Sequence, residues 1–111
     1  MTPLLPLTLV GTTSVAVEGL LDTGAAINVL PYSLGVQIGA NWDQQRTPVQ
    51  LSGNLVQTEA RVLVITAIVA KFPPVRLAFA WANSDHVPLL LGQVNFFLEF
   101  NVLLLPLTIC I

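Results

Sequence analysis

The chain has 111 residues, 54% of them hydrophobic and only 9% charged, with a net charge of −2 from four basic and six acidic residues. Charged residues make up about 25% of an ordinary soluble domain, so much of this surface is expected to meet another protein. The length suits a single domain over 1–111, and the scattered Arg46, Arg61, Lys71 and Arg76 form no phosphate-binding footprint, which argues against nucleic acid as a partner.

Short apolar or β-branched runs follow one another along the chain. Strands are expected over 4–10, 14–21 and 27–30, separated by Gly11-Thr12-Thr13 and by an Asp-Thr-Gly turn. Pro31 can start a short helical turn that Gly39 stops, and polar residues 41–47 read as a loop. Residues 49–57 have near mirror symmetry about Gly53, the pattern of a hairpin with a tight turn. Gly53 can take the positive φ such a turn requires, and Asn54 tolerates it. A long strand is expected over 61–70, which Lys71-Phe72-Pro73-Pro74 turns into a strand over 75–81. Asn83-Ser84-Asp85 then loops into a strand over 87–91 that Gly92 ends. A helical turn over 95–100 and a last strand over 102–111 complete the reading.

Proline cannot donate to a β-ladder, so Pro6 and Pro106 mark edge strands or bends. They sit in near-repeats, Leu4-Leu5-Pro6-Leu7-Thr8-Leu9 and Leu104-Leu105-Pro106-Leu107-Thr108-Ile109, at opposite ends of the chain. Two apolar edges per chain could interleave into one sheet across a dimer. The charge-free stretch 23–42 is interrupted by Gly24, Pro31, Gly35 and Gly39, so no membrane-spanning helix is expected. No basic region precedes the first apolar run and Pro3 breaks it, which makes a cytoplasmic location the default. Cys110, the single cysteine, allows no intrachain disulfide.

The most informative stretch is Leu20-Leu21-Asp22-Thr23-Gly24-Ala25, an Asp-Thr-Gly triplet that ends an apolar strand and occurs once. Aspartic-protease chemistry needs two carboxylates sharing one proton, so a single copy implies that a second, identical chain brings its own Asp22.

Together with Asn28-Val29-Leu30-Pro31, this stretch resembles the active-site loop and outgoing strand of the retropepsins, the single-domain dimeric aspartic proteases of retroviruses and their relatives. Leu89-Leu90-Leu91-Gly92 is similar to the hydrophobic-hydrophobic-glycine motif that packs under that loop, and the segment around Gly53 falls where the family places its substrate-covering flap. The resemblance implies an all-β fold, a small closed β-barrel-like domain with one short helix, assembled as a homodimer. It also implies an aspartic endopeptidase acting on polypeptides with no metal and no cofactor. Asp22 would be catalytic, facing its symmetry mate. Thr23 would clasp the loop of the other subunit, and Gly24 would leave room for the substrate backbone. Ala25, Ala26, Ile27, Ser52, Gly53 and Asn54 would contact substrate, and Leu90, Leu91 and Gly92 would support the loop from below.

Three departures shape the expectation. Ala25 lacks the hydroxyl that pepsin-like relatives carry there, which suggests activity reaching toward neutral pH. Ala26 and Gln93 replace an aspartate and an arginine that pair in retroviral members. Losing both avoids stranding a buried charge and leaves a more apolar cleft wall, hence a preference for hydrophobic residues around the cleaved bond. Elsewhere, Asp85-His86 reads as a solvated loop, and Glu18, Asp43, Glu59 and Glu99 as surface charges. Trp42, Trp81, Phe96, Phe97 and Phe100 read as packing. Two other functions fit the same residues: a retropepsin-like dimer that binds peptides or a partner protein with little or no turnover, and a structural subunit.

Overall fold

The structure is a computed structural model that describes residues 3–22, 24–51 and 53–92. The expected helical turn over 95–100, the last strand over 102–111 and the second near-repeat with Pro106 lie outside the described residues, as do Thr23 and Ser52. Among the described residues, seven strands form one sheet: β1 (Leu4–Val10), β2 (Ser14–Leu21), β3 (Asn28–Leu30), β4 (Pro48–Val49), β5 (Ala60–Ile68), β6 (Val75–Ala82) and β7 (Leu90–Leu91). One short helix, α1 (Tyr32–Gln37), follows β3, and 3-10 turns occupy Trp42–Gln44 and Gly53–Leu55. The architecture is therefore mostly β.

Alternation of side chains drives the sheet to close. In β1, Leu7 and Leu9 are buried while Leu4 and Pro6 are exposed, and in β5 Leu63, Ile65 and Ala67 point in while Val64 points out. The hairpin of β1 and β2 runs from Leu4↔Leu20 to Val10↔Ser14. The sheet order β1-β2-β7-β3-β6-β5-β4 acquires a further pairing of β1 with β5 over Thr8↔Ile68 to Val10↔Thr66, so six strands ring a common interior. That interior holds Leu7, Leu9, Leu30, Leu63, Ile65, Leu77, Phe79, Trp81 and Leu91. Among the described residues, no helix is long and apolar enough to cross a membrane.

A second, smaller cluster lies on the other face of β6. Ala80 and Ala82 alternate with the inward Phe79 and Trp81, and they pack with Val29, Leu51, Ala60 and Val87. Strand β6 is thus buried on both faces at its end, which continuous apolar sequence in 77–82 permits. This second cluster forms the floor of the candidate site.

Helix α1 begins after Pro31, which takes the extended N-cap conformation. Proline carries no side-chain cap, so the loop after β6 supplies one: the Ser33 N–H donates to Asp85 Oδ1 at 2.8 Å and the Tyr32 N–H to the Ser84 carbonyl at 3.1 Å. At the other end Gly39 adopts φ +94°, as a residue ending a helix in the left-handed region does. Tyr32, Trp42 and Trp81 form a ring cluster with centroids 5.2–5.8 Å apart. The packing expected of Trp42 and Trp81 is what they do; Phe96, Phe97 and Phe100 lie outside the described residues.

Four local expectations need correction. Among the described residues no tight hairpin forms over 49–57: β4 pairs with the start of β5 (Pro48↔Arg61, Val49↔Ala60), and the connection between them contains the 3-10 turn Gly53–Leu55. Burial explains it, because Leu51 sinks into the second cluster at 4% exposure, taking the chain out of register with residues 55–57. The Gln50 side chain also donates to the carbonyls of Leu51 (3.0 Å) and Val56 (3.2 Å), competing with any local ladder. Gly53 does take a positive φ, +65°. The strand expected over 61–70 spans Ala60–Ile68, because the chain already reverses where the Phe72 N–H bonds the Val69 carbonyl and Ala70 adopts φ +49°. The strand expected over 87–91 shrinks to Leu90–Leu91, since Pro88 has no N–H to give a ladder. Finally, Asp85 is more than a solvated loop residue, as its capping of α1 shows.

Candidate active site

Strand β2 delivers Asp22 to the end of β7. The pairing of β2 with β7 is parallel, Leu20↔Leu90 and Leu21↔Leu91, and it continues one step further where the Asp22 N–H donates to the Leu91 carbonyl at 3.1 Å. The chain then turns sharply. The Gly24 N–H donates to Asp22 Oδ1 at 2.9 Å and the Ala25 N–H to the Asp22 carbonyl at 3.1 Å, so the aspartate organises the turn with both its side chain and its main chain. Asp22 itself is half-buried.

The loop leaves through Ile27 into β3, which runs between β6 (parallel) and β7 (antiparallel, Val29↔Leu90). Beneath it lies Gly92. A Cβ on Gly92 would fall 2.5 Å from the Ile27 carbonyl oxygen and 2.8 Å from that of Ala25, so the loop backbone rests directly on the glycine. Asn28, at the first position of β3, is fully buried; its Nδ2 donates to the Ala78 carbonyl at 2.9 Å and its Oδ1 accepts the Gly92 N–H at 2.8 Å.

A cleft of about 340 Å³ opens between this loop and the connection from β4 to β5. Gly24, Ala25, Ala26, Ile27 and Val29 line one side, Gln50, Leu51 and Leu55 the other, with Leu90 below. Except for Gln50 these are apolar or glycine, and none is ionisable. The walls belong largely to the second cluster, so the cleft is the exposed face of a packed core and keeps its shape by that packing.

The structure brings Asp22, Gly24, Ala25, Ala26 and Ile27 together with Leu90, Leu91 and Gly92. It does not bring Gly53 to the cleft: this residue is exposed on the 3-10 turn, with nothing near its Cβ direction. The side chains of Thr23, Ser52 and Asn54 lie outside the described residues. Four lining residues, Val29, Gln50, Leu51 and Leu55, were not expected from the sequence to contact substrate, although Leu51 and Leu55 flank Gly53 at equal distance on either side. Asn28 had a readable signal: a polar residue inside the apolar run Ile27-Asn28-Val29-Leu30 must find buried partners. Among the described residues, no group of three His, Cys, Asp or Glu side chains is placed to hold a metal ion. No protein-family model matches this chain, and a search of curated proteins finds no match.

Proposed function

We propose that this chain is an aspartic endopeptidase of retropepsin-like fold that works as a homodimer and hydrolyses peptide bonds within hydrophobic stretches. The observation that carries the reading is the position of Asp22, an acid on a backbone-braced turn that runs on into Gly24, Ala25, Ala26 and Ile27, which line a cleft with no ionisable side chain. A single carboxylate cannot serve as acid and base in the same step, so the second comes from the partner's Asp22 by two-fold symmetry.

The reaction then follows the chemistry established for aspartic proteases. Two carboxylates in contact hold one proton between them, since both cannot ionise in so small a space. The ionised one takes a proton from a water held between them, and that water's oxygen attacks the scissile carbonyl carbon. The protonated one gives its proton to the carbonyl oxygen, forming a tetrahedral diol. Collapse of the diol breaks the C–N bond as a proton passes to the nitrogen, and the shared proton is restored. Ala25, Ala26, Ile27, Val29, Leu51, Leu55 and Leu90 offer apolar surface to the side chains flanking that bond.

Asp22→Asn is the decisive variant. Wild-type protein should cleave a denatured protein substrate and be blocked by a peptide carrying a tetrahedral hydroxyl-bearing mimic of the diol. The variant should cleave no faster than a protein-free control. Wild-type protein that binds such peptides without cutting them would replace the reading with a binding module.

A further inference from the structure

Asn28 is the one polar or charged residue that is fully buried among the described residues, and both ends of its carboxamide are engaged. Nδ2 gives a hydrogen to the Ala78 carbonyl of β6, and Oδ1 accepts the Gly92 N–H. That N–H belongs to the same peptide group as the Leu91 carbonyl, and the Leu91 oxygen accepts the Asp22 N–H. One peptide plane therefore ties together the two ends of the loop: Asp22, where it leaves β2, and Asn28, where it enters β3. The bonds run in series, from β6 through the Asn28 amide and the Leu91–Gly92 peptide to the Asp22 main chain. Each engaged group strengthens the next, because donating an N–H makes the carbonyl of the same peptide a better acceptor.

We propose that Asn28 is a positioning residue for Asp22, setting the place of its main chain through the Leu91–Gly92 peptide. The inference rests on the reading of Asp22 as the catalytic acid, and adds a residue outside the cleft to the machinery. The sheet does not need the side chain for its own sake: β3 is already paired through its backbone with β6 over Asn28↔Phe79 to Leu30↔Trp81, and with β7 at Val29↔Leu90. What the amide adds is a link between β6 and the peptide under the loop. Two carboxylates that must share a proton across a dyad tolerate little displacement, so an error in the Asp22 main chain reaches the chemistry directly. Neither an apolar isostere nor an ionised acid can replace the amide. Leucine lacks both groups, and a carboxylate would face the Ala78 carbonyl with no hydrogen to give.

The test combines amide hydrogen exchange with kinetics on Asn28→Leu and Asn28→Asp. In Asn28→Leu the Asp22 and Gly92 amides should lose at least about tenfold more protection than those of Leu63 and Phe79 in the barrel wall. In the same variant kcat on a peptide substrate should fall about 100-fold while KM stays near the wild-type value. Asn28→Asp should recover both properties in acid, where burial keeps its carboxyl protonated and able to donate to Ala78 while accepting from Gly92. Equal loss of protection across all four amides, or an unchanged kcat, overturns the proposal. If Asn28→Leu does not fold, Asn28→Asp decides: protection at Asp22 that does not change with pH overturns it. Wild-type protein without turnover would instead sink the proteolytic reading, and the exchange measurements would still judge the role of Asn28.

Discussion

At the scale of single residues, the site is a problem of close approach as much as of acid chemistry. Gly92 is the clearest case, because the oxygens its Cβ would strike belong to backbone and cannot rotate aside. Gly92→Ala should therefore destabilise the chain by about 1–3 kcal/mol, read from the midpoint of urea unfolding, and should lower cleavage in protein that remains folded. A neutral result would mean that the loop is not seated on this residue. Asp22→Asn has a different signature: the amide keeps an oxygen for the Gly24 N–H, so turnover should vanish with stability nearly unchanged. Together the two variants separate holding the loop from performing the reaction.

At the scale of elements, the short helix and the loop beside it depend on contacts distant in sequence. Asp85 caps α1 from the loop after β6, and Asp85→Ala should cost about 0.5–2 kcal/mol in thermal or chemical unfolding, the range for loss of a helix cap. Arg61 on β5 holds the 3-10 turn that follows: its guanidinium lies 4.4 Å from the Trp42 ring centroid and donates to the carbonyls of Trp42 (2.9 Å) and Gln45 (3.2 Å). Its ion pair with Glu59, at 3.4 Å on a side chain 59% exposed, is worth little beside those contacts. Arg61→Ala should accordingly lower the unfolding midpoint clearly, whereas Glu59→Gln should shift stability by less than about 0.5 kcal/mol. Equal effects from both would move the weight to the ion pair.

At the scale of the whole molecule, the ring of six strands leaves stretches paired on one side only among the described residues: 14–19 of β2, 75–78 of β6 and, at the start of β1, residues 4–7, where Leu4 is 54% exposed. That half-strand fits the edge expected from Pro6, and an apolar edge of this kind favours association with another strand. Sedimentation should show a reversible monomer–dimer equilibrium, with cleavage activity following the dimer fraction. With 9% of residues charged, the equilibrium should change little between low and high salt, because screening has few charges to act on. A strictly monomeric particle that still cuts would overturn the symmetric dyad.

Much of this was legible in the residues. The alternation of Leu5, Leu7 and Leu9, the break at Gly11-Thr12-Thr13 and the turn chemistry of Asp22 and Gly24 are local properties, so β1, β2 and the loop between β2 and β3 could be read from the chain itself. The segment around Gly53 could not. Its symmetric pattern favours a hairpin locally, but burial of Leu51 against Val29, Ala80 and Val87 outweighs a ladder of a few bonds, and those partners are distant in sequence. The cleft likewise exists only because that packing brings Gln50, Leu51 and Leu55 opposite the loop after Asp22. The single peptide group that joins Asp22 to Asn28 is a product of the fold for the same reason. By itself the sequence determined which residue carries the acid and where the chain turns, since these depend on neighbours along the chain. Only the tertiary structure decided what the loop after that acid lies against, because burial and hydrogen bonding across strands are settled when distant segments compete for the same core.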